Sequence, residues 1–212
     1  MTIRRPTIAA ALPALLIAGL AACRTAAEPA ADAWVPLTNG KDLAGWTGDP
    51  ALWTVEDGVL VGRCEGLKKN SYLVSEASFG DFEMAFDVKI TGTNANSGVQ
   101  YRSRLDPKKP DPVGYQADIG QVYWGSIYVT DERFGLLAGA KEEVWKAAVK
   151  PGDWNRYTIR AEGERHALTI NGVTTVEARD NRHRDGILAL QLHAGATMEV
   201  RFRNLRIRKL GT

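Results

Sequence analysis

Two dipeptides constrain this chain more than anything else in it: Asp57-Gly58 and Asn171-Gly172. The first separates Trp53-Thr54-Val55-Glu56 from Val59-Leu60-Val61, the second Leu168-Thr169-Ile170 from Val173-Thr174-Thr175-Val176. An Asx-Gly pair between such runs predicts a two-residue hairpin, because both turn positions need positive φ. The stretches between them agree. Phe82, Met84, Phe86, Val88 and Ile90 alternate with Glu83, Ala85, Asp87 and Lys89. Val99 and Tyr101 alternate with Gln100 and Arg102, and Tyr157, Ile159 and Ala161 with Arg156, Thr158 and Arg160. Leu188, Leu190 and Leu192 alternate with Ala189, Gln191 and His193. Period two with one apolar set marks a half-buried strand.

In the last strand Met198, Val200 and Phe202 point inward, then Leu205 and Ile207, so the phase slips at Arg203-Asn204 and a β-bulge is expected there. Its other face carries Glu199, Arg201, Arg206 and Arg208. The simplest reading of that face is a solvated one, with contact to anionic lipid as the alternative. Only Ala140 to Val149 reads as helix, ended by Pro151-Gly152. About eleven or twelve short strands, no fixed repeat and no internal linker predict an all-β, antiparallel jelly-roll β-sandwich in one domain over residues 34–212.

The first residues are of another kind. Arg4 and Arg5 precede a short apolar stretch from Ile8 to Ala18, and Leu20-Ala21-Ala22-Cys23 follows. This predicts a secretory signal over residues 1–22, too short to span a membrane. The ending resembles a bacterial lipobox, with Cys23 the lipidated first residue of the processed chain. Residues 23–33 then read as a flexible tether. The expected location is across the inner membrane, lipid-anchored, periplasmic or at the outer membrane, with Arg24 favouring the outer. Residues 1–22 hold two arginines and no acids, so 27 basic and 25 acidic side chains become 25 and 25. That balance argues against a nucleic-acid partner. With Cys23 lipidated, Cys64 has no partner for a disulfide and reads as a packed small residue.

Several chemistries lack their residues. His166, His183 and His193 form no His-x-x-x-His pair and there is no Cys-x-x-Cys, so zinc spacing is missing. No nucleophile elbow and no phosphate loop occurs. The strand 83–89 offers Glu83 and Asp87 with Ala85 between, a broken form of the carboxylate ladder of sandwich glucanases. A cation held by oxygen ligands such as Asp118 or Glu132 is left open, so a divalent cation is the one cofactor under consideration. What remains is planar and polar. Gly114-Tyr115-Gln116-Ala117-Asp118-Ile119-Gly120 and Tyr123-Trp124-Gly125-Ser126-Ile127-Tyr128 show aromatics, amides and a carboxylate with no evident hydrophobic face, a surface that suits a sugar. Asp87 with Lys89, Gln100 with Arg102, Gln116 with Asp118 and Gln191 with His193 each share a strand face by their spacing of two.

Several segments together resemble the 3-keto-disaccharide hydrolase family. They include Leu37-Thr38-Asn39-Gly40-Lys41-Asp42-Leu43-Ala44-Gly45-Trp46, Gly80-Asp81-Phe82-Glu83-Met84, Asn96-Ser97-Gly98-Val99, Gly114 to Ile119, Leu190-Gln191-Leu192-His193-Ala194-Gly195 and Phe202-Arg203-Asn204-Leu205-Arg206-Ile207. The resemblance covers about residues 34–210 and implies a concanavalin A-like lectin/glucanase sandwich in an exported bacterial protein. It also implies a substrate, an oxidised disaccharide or glycoside, and a reaction. A ketone at C3 makes the C2 proton acidic, its removal expels the C1 substituent, and water adds back. On that reading His193 or Asp118 is the base, and Arg102 or Lys89 stabilises the enolate. Asn96, Tyr115, Gln116, Trp124, Tyr128 and Gln100 hold the sugar. Two rivals stand beside it. One is a non-catalytic, lectin-like carbohydrate-binding lipoprotein. The other is a sandwich glycosidase with Glu132 or Glu83 as its second carboxylate.

Overall fold

The structure is a computed structural model that describes residues 33–131 and 135–211. Its strands in chain order begin with β1 (Val35–Pro36), β2 (Trp46–Thr47), β3 (Trp53–Glu56), β4 (Val59–Glu65) and β5 (Ser71–Phe79). Next come β6 (Phe82–Thr93), β7 (Asn96–Arg104), β8 (Val113–Gly120), β9 (Ile127–Val129) and β10 (Gly135–Ala138). The helix α1 (Glu142–Ala148) intervenes before β11 (Asn155–Glu162), β12 (Arg165–Ile170), β13 (Val173–Arg179), β14 (Gly186–Leu192) and β15 (Thr197–Lys209).

They pair into two antiparallel sheets. The eight-stranded sheet runs β13-β12-β11-β6-β15-β4-β3, with β1 against β15. The seven-stranded sheet runs β10-β9-β8-β7-β14-β5-β2. The sandwich is therefore the predicted architecture. The fifteen strands among the described residues exceed the expected dozen because β1, β2, β9 and β10 are too short to show a period.

Both hairpins form where Asx-Gly pairs stand, with φ of 49° and 80° at Asp57 and Gly58 and 49° and 86° at Asn171 and Gly172. The bulge at Arg203-Asn204 is present. The β15–β6 register shifts between Arg203 and Arg206, and Asn204 takes φ 55°. It lets β15 keep Phe202 and Leu205 on the same inner face. The core lies between the sheets. Phe86 stacks on Tyr157 at 5.3 Å between centroids and packs on Phe202, and all three are fully buried. Burial of each such ring contributes about 1.5–3 kcal/mol. Cys64 is buried here, its thiol donating to the Ala196 carbonyl, and burial pushes its pKa up, as suits a packed thiol.

One expectation fails outright. The stretch 113–120 has a hydrophobic face, since Tyr115, Ala117 and Ile119 are fully buried in the core. The polar residues between them occupy the opposite face, and loops cover that face too. Residues Tyr123 to Ser126 form a turn rather than strand, leaving only β9 after it.

Candidate functional site

The outward face of the seven-stranded sheet is polar at its centre. Period two sends Gln116 and Asp118 outward from β8, Gly98 and Gln100 from β7, Gln191 from β14, Tyr72 from β5 and Tyr128 from β9. Asn70, the loop carrying Asp111, and the turn carrying Tyr123 close round this face. With Asn96 and His193 they enclose a cleft of about 240 Å³. That is room for about one sugar ring, just under the range of about 300–1,000 Å³ typical of drug-sized ligands. A larger cavity of about 590 Å³ lies along β11 to β13, but its arginines are largely tied to glutamates and no acid–base pair converges there.

The floor of the cleft is a continuous hydrogen-bonded chain. The Ser103 hydroxyl donates to Gln100 Oε1 at 3.1 Å, and Gln100 Nε2 to Gln116 Oε1 at 2.7 Å. Gln116 Nε2 then donates to Asp118 Oδ1 at 2.6 Å and to Gln191 Oε1 at 3.2 Å. Gln191 Nε2 donates to the Tyr72 hydroxyl at 3.1 Å, and that hydroxyl to Asp111 Oδ1 at 2.8 Å. Asn70 Nδ2 reaches the same Asp111 oxygen at 2.8 Å. The Gln116 side chain can lie flat because its neighbour is Gly98. A Cβ there would sit 2.8 Å from both Cγ and Nε2 of Gln116.

Asp118 is 4% exposed and no cationic side chain among the described residues pairs with it. Burial therefore pushes its carboxyl up to about 7, against the opposing pull of the Gln116 amide. Burial and the neighbouring Asp118 charge also raise the Tyr128 phenol. At the other wall, His193 Nδ1 lies 2.7 Å from the Ala194 carbonyl. A carbonyl only accepts, so Nδ1 carries a proton, and it is Nε2 that holds the lone pair in the neutral tautomer. The Ala194 N–H donates to Asn70 Oδ1 at 2.8 Å, which fixes the backbone beside that ring. Asn96 Oδ1 is buried without a hydrogen-bond partner among the described residues.

Asp118, His193, Asn96, Gln116 and Tyr128 thus come together as the sequence suggested, with Gln100 directly behind Gln116. Four others do not. Tyr115 alternates with Gln116, so it faces the core, where it stacks on Tyr101 at 5.4 Å and donates to Asp180 Oδ1 at 2.5 Å. Arg102 sits at a bulge with φ 46°, and the β7–β8 register shifts between Tyr101 and Arg104. Ser103 takes its place beside Gln100. The Arg102 guanidinium instead bonds the carbonyls of Gly80 at 2.9 Å and Gly163 at 2.7 Å and the Asp81 carboxylate at 2.6 Å. It ties turns at one end of the sandwich together. Lys89 belongs to β6 of the other sheet and points away from the core beside Arg201. Trp124 packs under the β8–β9 turn at 6% exposure, outside the cleft.

Glu83 is likewise on the far face, paired with Arg160 and Arg208. Glu132 and Cys23, with the signal and most of the tether, lie outside the described residues. Asn70, Tyr72, Asp111 and Thr130 line the cleft although nothing singled them out in the sequence. Period two, counted back from buried Leu73, would have placed Tyr72 on this face. Asp111 comes from a loop between prolines, where no period applies. Among the described residues no group of three or more His, Cys, Asp or Glu side chains is placed to share a metal ion.

An antiparallel sandwich that bears an amide- and carboxylate-lined, sugar-sized cleft on one sheet is a carbohydrate-handling fold of the concanavalin A-like type. The chain belongs to the 3-keto-alpha-glucoside-1,2-lyase-like family, whose profile matches residues 33–208. Solved structures show the same fold. A Parabacteroides distasonis protein described provisionally as a glycosyl hydrolase is 22% identical with TM-score 0.64, over 84% of this chain and 94% of its own. The carbohydrate-binding module CBM66 of Bacillus subtilis is 21% identical with TM-score 0.60, over 78% and 96%. A Bacillus subtilis protein with a galectin-like fold is 13% identical with TM-score 0.65, over 86% and 97%. No curated protein matches the chain.

Proposed function

We propose that this chain cleaves the glycosidic bond of 3-keto-sugars by removing the C2 proton and eliminating the C1 substituent. The observation that carries the reading is the cleft that holds Asp118, poised near neutral pH, together with His193, whose Nε2 holds the lone pair in the neutral tautomer. A buried acid and a histidine oriented through Nδ1 in one small site divide the two proton transfers between them. His193 takes the C2 proton. Asp118, protonated, gives its proton to the departing glycosidic oxygen. Charge at the C3 oxygen is met by neutral donors, because Arg102 is bound to Gly80, Gly163 and Asp81 and Lys89 lies on the opposite face of the other sheet. The Tyr128 hydroxyl and the Asn96 amide N–H stand in the cleft for that role. The orphaned Asn96 Oδ1 accepts from a sugar hydroxyl.

A second reading has one observation in its favour. Asp111 supplies a second carboxylate to the cleft, as hydrolysis of unoxidised glycans requires. One experiment separates the two. Residues 24–212 are incubated with 3-keto-trehalose or a 3-keto-glucoside beside the unoxidised sugars, with and without EDTA, and followed by NMR. Loss of the keto substrate alone is expected. Loss of the unoxidised sugars would move the reading to a glycosidase. Saturable shifts without turnover would leave a carbohydrate-binding module. Turnover by His193→Ala within a few-fold of wild type would remove His193 as the base.

A further inference from the structure

The outward face of the eight-stranded sheet, opposite the cleft, has an ordered charge pattern that the proposed reaction does not use. Its middle strand, β6, carries Glu83 and Asp87. The strands on either side carry arginines in register with them. Arg156 and Arg203 both pair with Asp87, at 2.5 and 3.4 Å, and Arg160 and Arg208 both pair with Glu83, at 2.9 Å. The acids are sunk and the bases stand proud. The Asp87 and Glu83 side chains are 11% and 17% exposed, against 45% and 43% for Arg156 and Arg203. What this face presents outward is therefore guanidinium.

Two further cations lack any carboxylate within ion-pair distance among the described residues. They are Lys89, in register with Arg201, and Arg206. These six basic groups stand over Glu83, Asp87 and the edge residue Glu162, while the neighbouring Arg63 and Arg201 are matched by Glu56 and Glu199. Two tryptophans lie flat against the basic side. Trp154 is 4.0 Å from the Arg203 guanidinium, and Trp34 is 4.9 and 5.1 Å from those of Arg206 and Arg208. Trp34 keeps 36% of its surface exposed.

We infer that this arginine–tryptophan face lies on an anionic phospholipid surface, with Trp34 at headgroup level. The inference rests on the reading of the chain as an exported protein anchored through Cys23. Residues 24–33 could then reach at most about 36 Å. The chain enters the fold at Trp34, on this face, so the tether presents it to the bilayer. Cations and amphipathic rings are the groups that an anionic interface attracts. The orientation leaves the cleft on the opposite sheet open to soluble sugar.

The test uses residues 24–212, which contain the whole sandwich and no acyl group. They are sedimented with vesicles of phosphatidylglycerol mixed with phosphatidylcholine, beside vesicles of phosphatidylcholine alone, over a range of salt. Binding to the anionic vesicles only, lost as salt rises, is expected. The double substitution Lys89→Gln with Arg206→Gln breaks no carboxylate pair, and its unfolding midpoint beside the wild type controls for the lost Arg206–Trp34 contact. It weakens binding roughly 30-fold, from two charges at an anionic surface. Equal binding to both vesicle types, no binding, or unchanged binding by the double variant would each overturn the inference.

Discussion

Replacing Asp118 with asparagine tests the site without removing its geometry, because the amide oxygen still accepts from Gln116. The effect on stability follows from linkage. The folded carboxyl titrates near 7 against an ordinary value of 3.8, so folding favours the protonated form. The stability this proton contributes is full below the unfolded value. It declines as pH rises and is gone above the folded value. Between about pH 5 and the folded pKa lie two units, at about 1.36 kcal/mol each. The wild type should therefore lose about 3 kcal/mol between about pH 5 and pH 8 that Asp118→Asn does not lose. Urea unfolding of both proteins at each pH measures the double difference, which cancels any constant effect of the amide. The variant should be the more stable protein at about pH 8, and yet turn over 3-keto-sugar about 100-fold or more slowly. A stability difference independent of pH would show that the carboxyl is not elevated, and its role as a neutral-pH acid would fall with it.

Two further substitutions separate cleft from scaffold. Gly98→Ala drives a Cβ against Gln116. Overpacking should cost about 1–3 kcal/mol, and the displaced amide should cost about 100-fold in kcat/KM, measured with the unfolding midpoint as control. Arg102→Lys cannot reach Gly80, Gly163 and Asp81 at once. It should lower stability by about 3 kcal/mol while kcat/KM of the folded protein stays within a few-fold, and a selective loss of turnover would return Arg102 to the chemistry.

These pairs of residues also show where the sequence could be read and where it could not. The hairpins at Asp57-Gly58 and Asn171-Gly172 were legible because two residues settle their geometry. The bulge at Arg203-Asn204 was legible because apolar residues continue on both sides and expose the slip. The bulge at Arg102 was not, because Arg104 and Leu105 follow it with no apolar phase to compare. Tyr115 was a different failure. Once Gln116 and Asp118 share a face, period two sends Tyr115 to the other, so the sugar role assigned to it contradicted the pairing already made. Asp111 and the Asn70–Tyr72 segment lie far apart in the sequence and meet only through the order of strands in the sheet. Lys89 was placed with the site for the converse reason, because alternation along β6 gives its face but not which sheet β6 joins.

The direction of the hydrogen bonds in the cleft floor is the reason the proposed mechanism assigns the acid to Asp118 and not to Asp111. Gln100 turns its N–H to Gln116, with its Oε1 beside the Ser103 hydroxyl. Gln116 must then accept with Oε1 and give both its N–H groups away, one to Asp118 and one to Gln191. Asp118 receives that single N–H on Oδ1, which leaves Oδ2 to carry a proton. Asp111 stands where the chain ends, with the Tyr72 hydroxyl and the Asn70 amide both converging on one of its oxygens. Two donors converge on Asp111, whereas Asp118 is buried with one donor and no cationic partner among the described residues. One orientation of three glutamine amides thus leaves Asp118 with a single amide donor and a carboxyl raised by burial, as the proposed elimination asks of the group that delivers its proton.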